Sequence, residues 1–150
     1  MKALSLAAIA LLAFNAQIGA QTPKPPIIEL RVAVTSAKPG YAPRKLADST
    51  FFVSDSVLFS DVDIERADTL WSEGILSVSF RLTSEAASRL GAMTKDHVGD
   101  RIATFFNGEF AAATLLVSEI GSRRGQMQTL GPPKAQALAA QIVARWPPRR

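Results

Sequence analysis

The stretch from Leu76 to Glu119 carries a run of local signals that admit one order of elements: strand, helix, strand, tight turn, strand. Ser77-Val78-Ser79-Phe80-Arg81-Leu82 alternates polar and apolar residues, the period of a half-buried strand. Thr83 or Ser84 then offers a hydroxyl to cap a helix, and Glu85 stands in its first turn, where the helix dipole favours a negative charge. Ala87, Leu90, Met93, Thr94 and Val98 recur at helical spacing and predict the buried stripe of a helix over 84–98. Gly99 follows as its terminator. Arg101 to Phe106 reads as a second strand, Asn107-Gly108 as a hairpin turn of the type that needs positive φ, and Glu109 to Glu119 as the returning strand.

Before this stretch, the chain opens with Lys2, an apolar run from Ala3 to Phe14 and the small-residue segment Ile18-Gly19-Ala20. That is the three-part pattern of a secretory signal peptide over residues 1–20, cleaved after Ala20. The competing reading, a membrane anchor, needs about 20 apolar residues, and this run is shorter. With no cysteine in the chain, lipidation at the cleavage point and thiol catalysis are both ruled out. The remainder, 21–150, suffices for one domain burying roughly two-thirds of its unfolded surface. The formal net charge is +4, one unit of which is Lys2, and the acidic residues are dispersed among the basic ones. A mildly basic chain of this kind predicts no nucleic-acid groove.

Residues 21–26 hold three prolines and read as an extended lead-in. Ile27 to Val34 predicts a strand with Ile28, Leu30, Val32 and Val34 on one face and Glu29 and Arg31 on the other. Thr35 to Thr50, with Pro39-Gly40 and Pro43, reads as a long, mobile exposed loop. Phe51 to Phe59 predicts a strand, and Ser60-Asp61-Val62-Asp63 a capping box opening a helical turn or two over 61–67. Ala67–Trp71 and Leu76–Leu82 flank Glu73-Gly74 as a hairpin. After Glu119 comes a flexible loop holding Arg123 and Arg124, then a strand over 126–130. A closing helix starts at Pro132-Pro133, with Ala135, Leu138, Ala139, Ile142 and Trp146 on its apolar stripe. Residues 147–150 form a short basic tail. The fold class expected is α+β: a single domain, mostly antiparallel, with two main helices packed on one face of the sheet.

Chemistry is sparse in this pattern. Asp61-x-Asp63-x-Glu65 begins like a calcium loop, but Arg66 stands where the sharp-turn glycine belongs and Ser72 where the closing glutamate belongs. It reads instead as the acidic start of a helix. His97, the one histidine, falls at the expected helix end, without an evident partner. No G-x-S-x-G elbow, phosphate-cradling G-x-x-x-x-G-K or zinc-binding histidine pair occurs. The residues therefore point to no catalytic group, no cofactor and no metal. Arg123 and Arg124 remain as a solvated turn or, in the sharper reading, as rim contacts to an anionic or carboxylate-bearing partner.

Leu82-Thr83-Ser84-Glu85-Ala86-Ala87, Leu90, Met93-Thr94-Lys95, Val98-Gly99, Arg101-Ile102-Ala103 and Asn107-Gly108-Glu109-Phe110 together resemble the first periplasmic domain, especially its head part, of the SecD and fused SecDF protein-export subunits. The resemblance runs from about Ile27 to Trp146. It includes Ile28-Glu29-Leu30-Arg31 at the opening strand and, less closely, Gly125-Gln126 and the closing helix. His97 stands where such runs commonly carry asparagine. Thr114 stands where they often carry proline, so the third strand is expected to run on unbroken. What the resemblance implies is an exported head module without the membrane spans of the full subunit, contacting polypeptides or an envelope or export-machinery partner without catalysis. The alternative is an exported small-ligand-binding protein or enzyme that has reused the fold.

Overall fold

The computed structural model describes residues 23–128 and 134–148. Its strands are β1 (Ile28–Val34), β2 (Tyr41–Leu46), β3 (Ser49–Ser60), β4 (Ile64–Ser72), β5 (Ile75–Leu82), β6 (Arg101–Phe106), β7 (Glu109–Leu115) and β8 (Arg124–Gln128). Its helices are α1 (Ser84–Lys95) and α2 (Lys134–Arg145). Every paired strand is antiparallel, and the architecture is the α+β class read from the sequence. The signal segment 1–20, Leu130, Pro132-Pro133 and Arg149-Arg150 lie outside the described residues.

The strands form two sheets, ordered β2-β3-β1-β6-β7 and β4-β5-β8. The chain passes from one to the other at Asp61–Asp63, a single 3-10 turn. Two carboxylates build this corner. Asp61 accepts hydrogen bonds from the Ile27 and Ile28 N–H groups (3.0 and 2.8 Å), and Asp63 accepts from the Ser60 N–H (3.0 Å). Both satisfy backbone donors that would otherwise lack partners where the ladder breaks.

One face of the large sheet builds the main core. Ile28, Leu30 and Val32 of β1, Leu58 and Phe59 of β3, and Ile102 and Phe106 of β6 meet Ala67, Leu76, Val78 and Leu82 of the small sheet. Ala86, Ala87 and Leu90 of α1 and Ala135, Leu138 and Ile142 of α2 join the same cluster, so both helices serve one face of the large sheet. Thr83 caps α1 by accepting from the Ala86 N–H at 3.2 Å. Thr94 is fully buried; its hydroxyl donates to the Leu90 carbonyl and accepts from the Ile120 N–H, each at 2.8 Å.

The other face of the large sheet closes on itself. Ala33, Val53, Ala103 and Phe105 form a second buried cluster, with Phe51 and Phe110 packed against it. Phe51 on β3 and Phe110 on β7 meet edge to face at 5.9 Å although β1 and β6 lie between their strands. In a flat sheet three strand spacings would separate them by about 14 Å. The sheet is therefore strongly curled. Small side chains at Ala33 and Ala103 leave room on the inside of the bend, and register shifts in the β1–β3 and β6–β7 pairs supply the local kinks.

Several sequence expectations are corrected. Thr35 to Thr50 is not a loop throughout: Tyr41–Leu46 is β2, paired with β3 from Tyr41↔Ser54 to Leu46↔Ser49. An edge strand tolerates Pro43 and is protected by exposed Arg44 and Lys45, which removes the alternation by which a strand is recognised. Residues 64–67 are not helical; Ile64 and Ala67 are buried in β4, because pairing with β5 prevails over the local cap. Helix α1 stops at Lys95, and Val98 is 52% exposed in the following turn, outside the stripe expected to bury it. The returning strand ends at Leu115, short of Glu119, though it does pass Thr114 unbroken. Arg124 and Gly125, expected in a loop, begin β8. The Asn107-Gly108 turn is as expected, with φ of 52° and 79°.

Candidate functional site

The two sheets diverge where β7 ends the large one and β8 ends the small one. Between them runs a cleft of about 530 Å³. Its large-sheet wall is Leu30, Phe59, Ile102, Thr104, Ala112 and Thr114; its small-sheet wall is Phe80, Gly125 and Met127, with Gln126 and Gln128 at the lip. Strand alternation explains the set. Leu30↔Thr104↔Ala112 and the Ile102↔Thr114 pair are cross-strand neighbours whose side chains share the core-facing side of the large sheet. Phe80↔Gly125 and Val78↔Met127 do the same for the small sheet. The main core thus continues into the cleft, where no helix among the described residues covers it.

Phe80 forms the hinge of the small-sheet wall. Its ring lies against Phe59, centroids 5.3 Å apart, and directly over Gly125. A Cβ at Gly125 would sit 2.2 Å from the ring's Cζ, so glycine is required there for close approach. Leu116 and Ile120 close one end of the cleft, and the bond from the Ile120 N–H to buried Thr94 fixes that end to α1. Thr104, Thr114, Gln126 and Gln128 supply the polar atoms, and no lining residue titrates. Such a cleft can bury apolar surface and offer strand edges. It has no group to move a proton.

The residues singled out in the sequence are placed apart from one another. Arg123 is engaged: its Nη2 contacts Glu65 at 2.6 Å and its Nε donates to the Leu82 carbonyl at 3.1 Å. Arg124, pointing to the opposite face of β8, is exposed and has no carboxylate partner among the described residues. Of the two expected rim residues, Arg124 alone has a free guanidinium, and it lies beside Arg66 and Arg81 on the outer face of the small sheet and does not line the cleft.

His97 is not without a partner, as the sequence had suggested. Its Nδ1 lies 2.9 Å from the Asp100 carboxylate, and the ring lines a separate cavity of about 430 Å³ with Tyr41, Ser54, Ser56 and Met93. The Ser54 hydroxyl oxygen accepts from the Ser56 N–H at 3.1 Å. Among the described residues no hydroxyl is hydrogen-bonded to the imidazole. The acidic run is likewise dispersed. Asp61 and Asp63 hold the sheet corner, Asp63 also pairs with Arg89 (2.6 Å) and Glu65 with Arg123. Farther along β4, Arg66 grips Asp68 through two hydrogen bonds of 2.7 Å. That contact holds the Asp68 carboxyl below its usual range and raises Arg66.

Sequence reasoning missed the cleft. Its signal was weak: Ala112 and Thr114 are unremarkable strand residues, and only knowledge of which strands end the sheets makes them important.

Taken together, these features define a two-sheet α+β module with an apolar cleft between edge strands and a separate cavity lined by His97. The family model of the SecDF P1 head subdomain matches residues 36–144, and the chain belongs to that family. Two solved structures share the fold. One, described as "Structure and function of a membrane component SecDF that enhances protein export", aligns with a TM-score of 0.59 at 15% identity over 82% of this chain and 64% of its own. The other, "Crystal structure of SecDF in Super-membrane-facing form", gives the same TM-score and identity over 82% of this chain and 19% of its own. This chain thus spans less than two-thirds of either. No curated protein matches it. Among the described residues no helix is long and apolar enough to cross a membrane.

Proposed function

We propose that this chain is an exported, non-enzymatic binding module of the protein-export type, which holds extended polypeptide segments in the cleft between β7 and β8. The observation that carries the reading is the cleft itself: apolar, open, free of titratable groups, and bordered by two strands that each end a sheet. An extended client would gain main-chain hydrogen bonds from a strand edge and bury alternate side chains on Phe80, Met127 and Ile102. Little sequence preference follows, because the walls are apolar and the edge offers only backbone. Arg124, on the outer face of the edge strand β8, would touch only those parts of a client that extend beyond the cleft, through a screened, salt-sensitive contact. Export would follow from cleavage of 1–20 after Ala20.

The test is photo-crosslinking in the cell envelope with a benzophenone amino acid at Thr114 or at Gln126, both exposed on the cleft. Polypeptide adducts at these positions, and none from a probe at exposed Ser36, are expected. Thr114→Trp, which fills the cleft from an exposed position, should abolish the adducts of the probe at Gln126 while leaving the fold intact. Absence of any adduct, together with a turnover lost in His97→Ala, would instead favour an enzyme built on the His97–Asp100 pair.

A further inference from the structure

The solvent face of the small sheet carries a row of three arginines. Arg66 on β4, Arg81 on β5 and Arg124 on β8 are direct cross-strand partners. Adjacent like charges in such positions destabilise a sheet, and sheets ordinarily avoid them. Here a single carboxylate, Asp68, answers the row, and both of its oxygens are taken by Arg66. Glu65 is engaged by Arg123. Arg81 and Arg124 have no ion-pair partner among the described residues.

Along the same face, toward the β4–β5 turn, the side chains become apolar. Leu70 is 63% exposed and Ile75 45% exposed; Trp71, at the same tip but on the other side of the strand, is 42% exposed. Leu70 lies about 13 Å along β4 from Arg66, at roughly 3.3 Å per residue. Glu73 in the turn is the one further acid at this end. Apolar tip and cationic row therefore share one exposed surface. A soluble anion would use only the row, and an apolar peptide only the tip.

We propose that this surface docks on an anionic phospholipid bilayer. Leu70, Ile75 and Trp71 enter the headgroup–acyl boundary, and Arg81 and Arg124 contact lipid phosphates. The indole is suited to the interface, where its ring is apolar and its N–H remains wet. Guanidinium matches phosphate oxygens in paired hydrogen bonds. The surface is distinct from the cleft: the row faces solvent, whereas the cleft lies between the sheets. The inference does not depend on polypeptide capture.

The chain contains no cysteine, so Ser72→Cys, at the exposed hairpin tip, accepts a single environment-sensitive fluorophore. The probe reads the polarity at the tip, and the phosphatidylcholine arm and the variants below separate docking of this surface from vesicle binding through the apolar residues 3–14, which all of them share. The full-length labelled chain is mixed with vesicles of phosphatidylglycerol and phosphatidylcholine, or of phosphatidylcholine alone. A blue shift is expected with the anionic vesicles only. Arg81→Gln and Arg124→Gln should each weaken it about fivefold, the share of one cation at a charged surface. Leu70→Ser with Ile75→Ser should abolish the shift, with circular dichroism confirming the fold. An equal response to both vesicle types, or no effect of the two arginine substitutions, overturns the proposal. So does a response to inorganic phosphate or to poly-glutamate in place of vesicles, which would assign the row to a soluble anion or an acidic chain.

Discussion

Gly125→Ala is the most informative small change in this protein, because it adds one methyl group where the structure has no space. The new Cβ would lie 2.2, 2.8 and 2.9 Å from three atoms of the Phe80 ring. Contacts this short cannot be absorbed by a few tenths of an ångström. The ring cannot retreat along its own axis, because Phe59 lies 5.3 Å from its centroid and belongs to the fully buried core. The remaining escape is sideways into the cleft that Phe80 lines. Overpacking of this kind costs ~1–3 kcal/mol. For a domain of this size that is a fall in Tm of roughly 4–12 °C. The assay is a double-mutant cycle with Phe80→Ala, read by urea unfolding. Gly125→Ala should be destabilising in the natural chain and close to neutral when the ring is absent, giving a coupling energy of ~1–2 kcal/mol. Gly125 does not have positive φ, so backbone strain offers no competing cause. If the substitution costs as much without the ring as with it, the close-approach argument fails. The displaced ring should also narrow the cleft, so polypeptide crosslinking at Thr114 is expected to fall in the same variant.

Gly108→Val places a β-branched residue at φ 79° and brings its Cβ within 3.1 Å of Pro25, so a loss of ~1 kcal/mol or more is expected in thermal unfolding. Unchanged stability would count against the turn geometry. Thr94→Val removes the acceptor for the Ile120 N–H in a buried setting and should cost ~1–3 kcal/mol, with faster amide exchange at Ile120. Asp68 has a folded pKa below its unfolded value, so any stabilisation from its pair with Arg66 is present above the unfolded carboxylate range and is lost as pH falls through the folded value. Because the pair is exposed, Asp68→Asn should leave the pH dependence of unfolding nearly unchanged; a large change would mean the pair is shielded from solvent. His97→Ala should leave polypeptide capture intact, since the imidazole lies in a different cavity from the cleft; loss of crosslinking in this variant would count against the assignment of the cleft.

Much of the local structure was legible in the sequence because short-range interactions enforce it. The Asn107-Gly108 hairpin, the Thr83 cap and the β4–β5 hairpin at Glu73-Gly74 are fixed by residues within a few positions of each other. The 3.6-residue period of Ala87, Leu90 and Thr94 marked the buried side of α1, and the alternation in β1 marked its core face. The errors occurred where long-range contacts prevail. β2 lacks alternation because it is an edge strand whose side chains are mostly exposed. The first residues of β4 carry a helix-start signal, yet pair with β5 because Ile64 and Ala67 are buried only in that arrangement.

The candidate surfaces belong almost wholly to the tertiary level. Sequence drew attention to Arg123 and Arg124 as a pair, but strand alternation sends them to opposite faces: Arg123 to Glu65, Arg124 to a row with Arg66 and Arg81. Those three arginines are up to 58 positions apart in the chain, and no local pattern links them. His97 and Asp100 are close enough for sequence to have paired them, but not to show which cavity the imidazole lines. The cleft depends on which strands end the two sheets, and hence on how β7 and β8 come to face each other across a gap. Sequence by itself determined most of the elements and turns, though not β2 or the start of β4, and the absence of thiol chemistry, because propensity, capping and composition act on neighbouring residues. Only the tertiary structure decided that there are two sheets, that they open beside β8 and that the arginines align, because these follow from burial and pairing between residues distant in the chain.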